Sequence, residues 1–231
     1  MLELILKILA LFHRKKINLA DYPVRTDYGT LNAYQRNAMD NILSACVDGK
    51  DTADIPVMTQ AEFDEVAFHV AMHFGDSRYE SIALKRLNTA KVNLGLYAEA
   101  KANKAELDAW VDNALSKLYE GTTEYKLEQI AKYIARHGEY GYGSNNPLDL
   151  VDDGAMCGAY SMLFYKMATR IGVQAYICHG YANNGTQSGF HAWNMADGYF
   201  YDVTFYDMGL RSSKYIRSNT AWGREYTVNK K

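Results

Sequence analysis

Cysteine is scarce in this 231-residue chain, where Cys46, Cys157 and Cys178 are the three present. The number is odd and no CxxC pair occurs, which argues against a disulfide scaffold and against a structural zinc site, and leaves at least one thiol free. An excess of one charge is also lacking. Lysine and arginine number 25 against 27 aspartates and glutamates, a formal charge of -2, so the totals carry no electrostatic drive toward nucleic acid. No segment is apolar enough for long enough to span a bilayer. Residues 1–12 are mostly apolar but are interrupted by Glu3 and Lys7, and the basic group His13, Arg14, Lys15, Lys16 follows them instead of preceding them. That order makes a poor signal peptide. It suits an amphipathic helix that packs on the domain or contacts a partner or membrane surface. Cytoplasm is the default expectation, with export or a cell-surface location as the alternative if the chain is a trimmed form.

Cofactor signatures are missing too. Gly138, Gly141 and Gly143 are not followed by GK[ST] and do not make a phosphate loop. His69 and His73 lie four apart with Glu65 one turn earlier, but Val70 follows His69, so the HExxH pattern is absent and no metal is expected. Repeats and low-complexity tracts are absent as well.

What is present is the composition of a folded protein: 48% hydrophobic and 23% charged residues, with 19 tyrosines that suit either half-buried cores or polar grooves. Leu31, Tyr34, Ala38, Ile42 and Ala45 recur at helical spacing. A second helix is expected after Thr59 as N-cap, with Phe63, Val66, Ala67, Val70, Ala71 and Phe74 on one face. Ile82/Leu84 and Val92/Leu94/Leu96 alternate in the manner of two short strands. Helices are then expected over 106–118 and 124–135, separated by Gly121-Thr122-Thr123. Residues 138–156 are rich in glycine, asparagine and aspartate, with a single Pro147, and read as a loop. Cys157 opens a further helix through Ile171, stopped by Gly172. Beyond it the period becomes two, with strands expected over 173–181, 190–196 and 199–205, the last two joined at Asp197-Gly198.

Cys157, His191 and Asp202 occur in the order and with the residue types of a thiolate nucleophile, a proton acceptor and a carboxylate that orients it. A cysteine at a helix start meets unpaired backbone N–H groups and the positive end of the helix dipole, both of which favour thiolate. Gly154 and Gly158 would let a substrate backbone approach closely. A two-residue turn at Asp197-Gly198 makes facing positions sum to 395, which pairs His191 with Thr204 and Trp193 with Asp202. His191 and Asp202 then lie diagonally on one face of the sheet, within about 7–8 Å at the backbone. The Cys157 N–H is the natural first donor to a developing oxyanion, with Tyr140, Tyr142 or the Trp193 indole as candidates for a second. Cys46 and Cys178 fall on a helix and in a buried strand, where cysteine serves as a small apolar side chain.

The runs Gly154-Ala155-Met156-Cys157-Gly158-Ala159-Tyr160-Ser161, His191-Ala192-Trp193-Asn194 and Tyr201-Asp202-Val203-Thr204-Phe205-Tyr206-Asp207 resemble the three core motifs of the transglutaminase-like superfamily, a branch of the papain-like cysteine enzymes. The resemblance covers about residues 120–210, and the region before it is similar to that of uncharacterised bacterial members. It implies an α+β fold in which a helix bearing the cysteine packs on an antiparallel sheet bearing the other two residues. Residues 105–231 would form the catalytic domain and 1–104 a mainly helical extension with a short strand pair. It also implies Cys157, His191 and Asp202 as nucleophile, base and orienter, without a cofactor. Members include cross-linking transglutaminases, peptidases, amidases and inactive binding domains. Phe205 departs from the tryptophan of many members, a change that bears on packing. The expected activity is acyl transfer through a thioester on a protein or peptide amide, hydrolysis preferred to cross-linking. Protein-glutamine transglutamination and non-catalytic binding of peptide or cell-wall material are the alternatives.

Overall fold

The computed structural model describes residues 24–25, 31–74, 82–141, 144–152, 154–183, 188–210, 212–218 and 226–227. The expected N-terminal amphipathic helix lies outside the described residues. Helix α1 (Ala33–Val47) opens with a reciprocal cap, in which Gln35 N–H donates to Asn32 Oδ1 (3.0 Å) and Asn32 N–H to Gln35 Oε1 (3.1 Å). Helix α2 (Gln60–Phe74) repeats the device with Thr59 and Glu62, as its sequence predicts. Their inner faces, including Ala38, Met39, Ile42, Phe63, Val66 and Val70, bury against a small antiparallel sheet. That sheet runs in the order β2 (Thr52–Asp54), β4 (Thr89–Val92), β3 (Ile82–Arg86).

The second of the two expected strands in this region is too long. The backbone turns helical at Leu94, and α3 (Leu94–Leu115) absorbs both Leu96 and the separately expected 106–118 helix. Asn93 Oδ1 accepts the Gly95 N–H at 3.1 Å, and the alanine-, lysine- and glutamate-rich stretch that follows has high helix propensity, which overrides three positions of alternation. Leu94 packs against the first cluster, whereas Leu107, Val111 and Ala114 enter a second, larger one.

The second cluster contains α4 (Thr123–His137), α5 (Pro147–Asp152), α6 (Cys157–Arg170) and the main sheet. Helix α5 falls inside the expected loop. Proline at its first position sacrifices no helical hydrogen bond, and Asn146 Oδ1 accepts the Leu148 N–H at 3.1 Å. The main sheet is antiparallel, in the order β1 (Val24–Arg25), β5 (Ala175–Asn183), β6 (Ser188–Ala196), β7 (Tyr199–Tyr201), β8 (Ile216–Ser218), with β9 (Tyr226–Thr227) also paired to β5. The helix that opens at Cys157, packed on an antiparallel sheet, makes this the α+β, papain-like architecture that the sequence implies.

The β6–β7 turn has φ of 47° at Asp197 and 77° at Gly198, both left-handed, the signature of the two-residue turn that matches strand twist. The predicted register holds for Asn194 with Tyr201, Met195 with Phe200 and Ala196 with Tyr199. It does not extend to the expected pairs His191 with Thr204 and Trp193 with Asp202, because β7 ends at Tyr201. Asp202 Oδ1 accepts the Phe205 N–H (2.9 Å) and Asp202 C=O the Tyr206 N–H (3.1 Å), so 203–205 form a helical turn instead of strand.

Candidate active site

Cys157 is the first residue of α6, and Met156 before it contributes no side-chain cap. The helix is held to the sheet from its buried side by Asn194 on β6. The Asn194 Nδ2 donates to the Ser161 carbonyl of α6 (2.9 Å) and to the Tyr176 carbonyl of β5 (3.2 Å). One amide thus fixes the spacing between the helix carrying the sulfur and the strand carrying the imidazole.

His191 and Asp202 meet at 2.7 Å between Nε2 and Oδ2. Both are buried, with Asp202 wholly inaccessible and His191 6% exposed. The carboxylate is held from several directions. Its Oδ1 takes the Phe205 N–H, and the Asp202 backbone N–H donates to the Tyr215 carbonyl at 2.7 Å. The contact that the sequence placed on a longer ladder is therefore made by a residue that leaves the ladder and caps a helical turn. With Nε2 turned to Asp202, Nδ1 is the ring nitrogen left for the Cys157 thiol, on which the imidazole acts.

The electrostatics separate this thiol from the other two. Burial by itself would raise the Cys157 pKa, but the hydrogen bond and charge of His191 and the Ala192 backbone N–H outweigh it, and the net direction is down. Burial pushes the Cys46 thiol up to about 11 and raises Cys178 further. Burial would lower His191; the Asp202 carboxylate and its hydrogen bond, together with the Cys157 sulfur, push it up instead, to about 10. Each member of the thiolate and imidazolium pair thus favours the charged form of the other.

Phe205 was noted in the sequence only as a departure from tryptophan, yet its ring stacks on the His191 imidazole at 4.6 Å and 22° and is braced edge-on by Tyr215 at 5.5 Å. No sequence periodicity could have found it, because it lies beyond the end of the strand. Trp193 flanks the same imidazole at 6.0 Å. Its Nε1 is inaccessible, so the indole serves as packing surface for His191 and does not line a groove. Tyr140 is half-buried, in a parallel bridge with Ala155 two residues before the cysteine, and its ring lies 6.5 Å from that of Tyr160. Tyr142 lies outside the described residues.

The glycines beside Cys157 make room for the chain itself and not for a substrate. A Cβ on Gly154, whose φ is +90°, would stand 3.2 Å from the Glu139 carbonyl oxygen, and one on Gly158 would stand 2.4 Å from Asn145 Oδ1. Among the described residues no helix is long and apolar enough to cross a membrane.

Residues 109–208 match the family model of the transglutaminase-like superfamily. Comparison with curated proteins gives no match. A solved structure described as the crystal structure of a TGase is 15% identical with a TM-score of 0.37, and the match covers 66% of this chain and 50% of that one. The chain therefore spans half the length of that protein. The superfamily is in general one of cysteine-dependent enzymes. Residues 109–208, with Cys157 at a helix start, His191 on the sheet behind it and Asp202 just past the end of β7, match the core of the transglutaminase-like superfamily.

Proposed function

We propose that the protein is a cysteine-dependent acyl-transfer enzyme acting on protein or peptide amides, with hydrolysis as its reaction. Cys157 attacks the amide carbonyl as thiolate, and His191 delivers the proton to the departing amine. Asp202 holds the imidazole so that Nδ1 faces the sulfur, and it stabilises the imidazolium. The thioester is then cleaved by water activated by the same imidazole. The Cys157 N–H is the first donor to the oxyanion, and Tyr140, bridged to Ala155 two residues before the cysteine, is the second donor this reading favours. Residues 105–231 constitute the catalytic domain in this reading and 1–104 its extension.

The observation that carries the proposal is the buried 2.7 Å contact of His191 with Asp202 beside the one thiol of the three whose pKa moves down. Limited iodoacetamide at pH 6–7, with peptide mapping by mass spectrometry, tests it. Cys157 should be modified well before Cys46 and Cys178, and His191→Ala should abolish the preference. Uniform slow labelling would point to a binding module instead. A peptide mixture incubated with and without a primary amine, with Cys157→Ala as control, separates the reactions: cleavage supports hydrolysis, and amine adducts support transglutamination.

A further inference from the structure

A helix start leaves its first N–H groups without intrahelical partners, and an N-cap side chain ordinarily supplies an acceptor. Met156 cannot do so. The acceptor comes from 13 residues away, where Asn145 Oδ1 takes the Gly158 N–H at 3.1 Å. The neighbouring backbone joins in, with the Met156 N–H donating to the Ser144 carbonyl at 2.7 Å. The Ala159 N–H turns back to the Met156 carbonyl at 3.0 Å. Among the described residues no acceptor takes the Cys157 N–H.

The segment that supplies this cap is itself held. Ser144 Oγ donates to Asp149 Oδ2 and accepts the Asn146 N–H at 3.0 Å, while Asn146 starts α5. The fit is close enough to dictate the residue opposite. A Cβ at position 158 would lie 2.4 Å from Asn145 Oδ1 and 2.9 Å from its Cγ, so the glycine after the nucleophile exists to admit this side chain.

We infer that Asn145 is a positioning residue for Cys157: its carboxamide oxygen occupies the Gly158 N–H, pins the first turn of α6 to the 144–149 segment, and reserves the Cys157 N–H for an anion at the sulfur or the acyl oxygen. This rests on the reading of Cys157 as a nucleophile. Among the described residues, the charged groups that act on the sulfur are His191 and, more weakly, Asp202, while the Asp149 carboxylate accepts from Ser144 Oγ. A neutral carboxamide therefore caps the helix without setting a negative charge beside the thiolate, which an aspartate cap would do.

The test uses the full chain and follows the pH dependence of Cys157 alkylation by iodoacetamide together with thermal denaturation. Asn145→Ala is expected to slow alkylation at pH 6 about tenfold and move the profile to higher pH, because a loosened first turn weakens the sulfur's contact with His191. Asn145→Asp keeps an acceptor and is expected to keep the thermal midpoint, yet to move the profile upward as well, because the added charge disfavours thiolate. Gly158→Ala should cost less in the Asn145→Ala background than alone, since the steric conflict is gone. Alkylation within twofold of the unaltered protein at every pH for both Asn145 variants overturns the inference, as does a lowered midpoint with an unmoved profile, which would mark a merely structural cap. A Cys157 that alkylates no faster than Cys46 and is indifferent to His191→Ala overturns the nucleophile reading itself, a result distinguishable from failure at Asn145 alone.

Discussion

Asp202→Asn is the most informative single change, because it preserves shape while reversing one hydrogen bond. The carboxamide oxygen can still accept the Phe205 N–H now held at 2.9 Å, which leaves the NH₂ group 2.7 Å from His191 Nε2. Two donors cannot share that contact, so Nε2 must become the acceptor and the imidazole must stay neutral. In the unaltered protein, the displacement of His191 from 6.5 to about 10 corresponds to a preference for imidazolium on the order of 5 kcal/mol, at about 1.4 kcal/mol per pH unit. Removing one partner of a buried charge pair costs about 3–5 kcal/mol, which brackets the same loss from another direction. Asp202 also repels the thiolate directly, but this is the smallest of the influences on the sulfur and does not offset the lost imidazolium. Cys157 alkylation by iodoacetamide at pH 6 should therefore fall by about a hundredfold or more, with its profile moved toward that of an ordinary thiol. Circular dichroism should report an intact fold, since the cap on Phe205 survives. A profile within threefold of the unaltered protein, in a folded Asp202→Asn sample, would refute the assignment of Asp202 as the group that sustains the imidazolium.

Three further outcomes are expected. His191 has a folded pKa raised above its unfolded 6.5, so its contribution to stability is complete below about pH 6.5 and is lost as pH rises toward about 10; the gap in urea midpoint between the unaltered protein and His191→Gln should narrow across that window, and a gap that widens would contradict the sign. Asn194→Ala leaves the buried Ser161 carbonyl without its Asn194 donor and should cost about 1–3 kcal/mol in urea denaturation while also slowing Cys157 alkylation, because the helix and strand lose their common tie. Gly198→Ala forces a side chain into φ 77° and should cost about 1 kcal/mol or somewhat more by the same measurement, with Cys157 reactivity kept if the β6–β7 register survives.

The candidate residues and most of the helices were legible in the sequence because they depend on local chemistry. Helix starts at Thr59 and Cys157, the Asp197-Gly198 turn and the 395 register follow from caps, period and turn residues that act over a few positions. Errors arose where a local pattern was short or a distant group intervened. Leu94 and Leu96 extended an apparent alternation that helix propensity overrode, and α5 lay hidden in a stretch whose asparagine and proline are equally at home in loops and at helix starts.

The sequence by itself determined the candidate residues Cys157, His191 and Asp202, their order, and the elements that bear Cys157 and His191. The end of β7 at Asp202, the Phe205 ring on the imidazole, the Asn194 tie and the Asn145 cap were decided by tertiary structure. Each joins residues through hydrogen bonds or ring faces whose partners are chosen by packing, and spacing along the chain carries no record of that choice. Asp202 illustrates the division: its residue type marked it as the orienting carboxylate, but only by leaving the ladder to cap a helical turn does it present one oxygen to Phe205 and the other to His191.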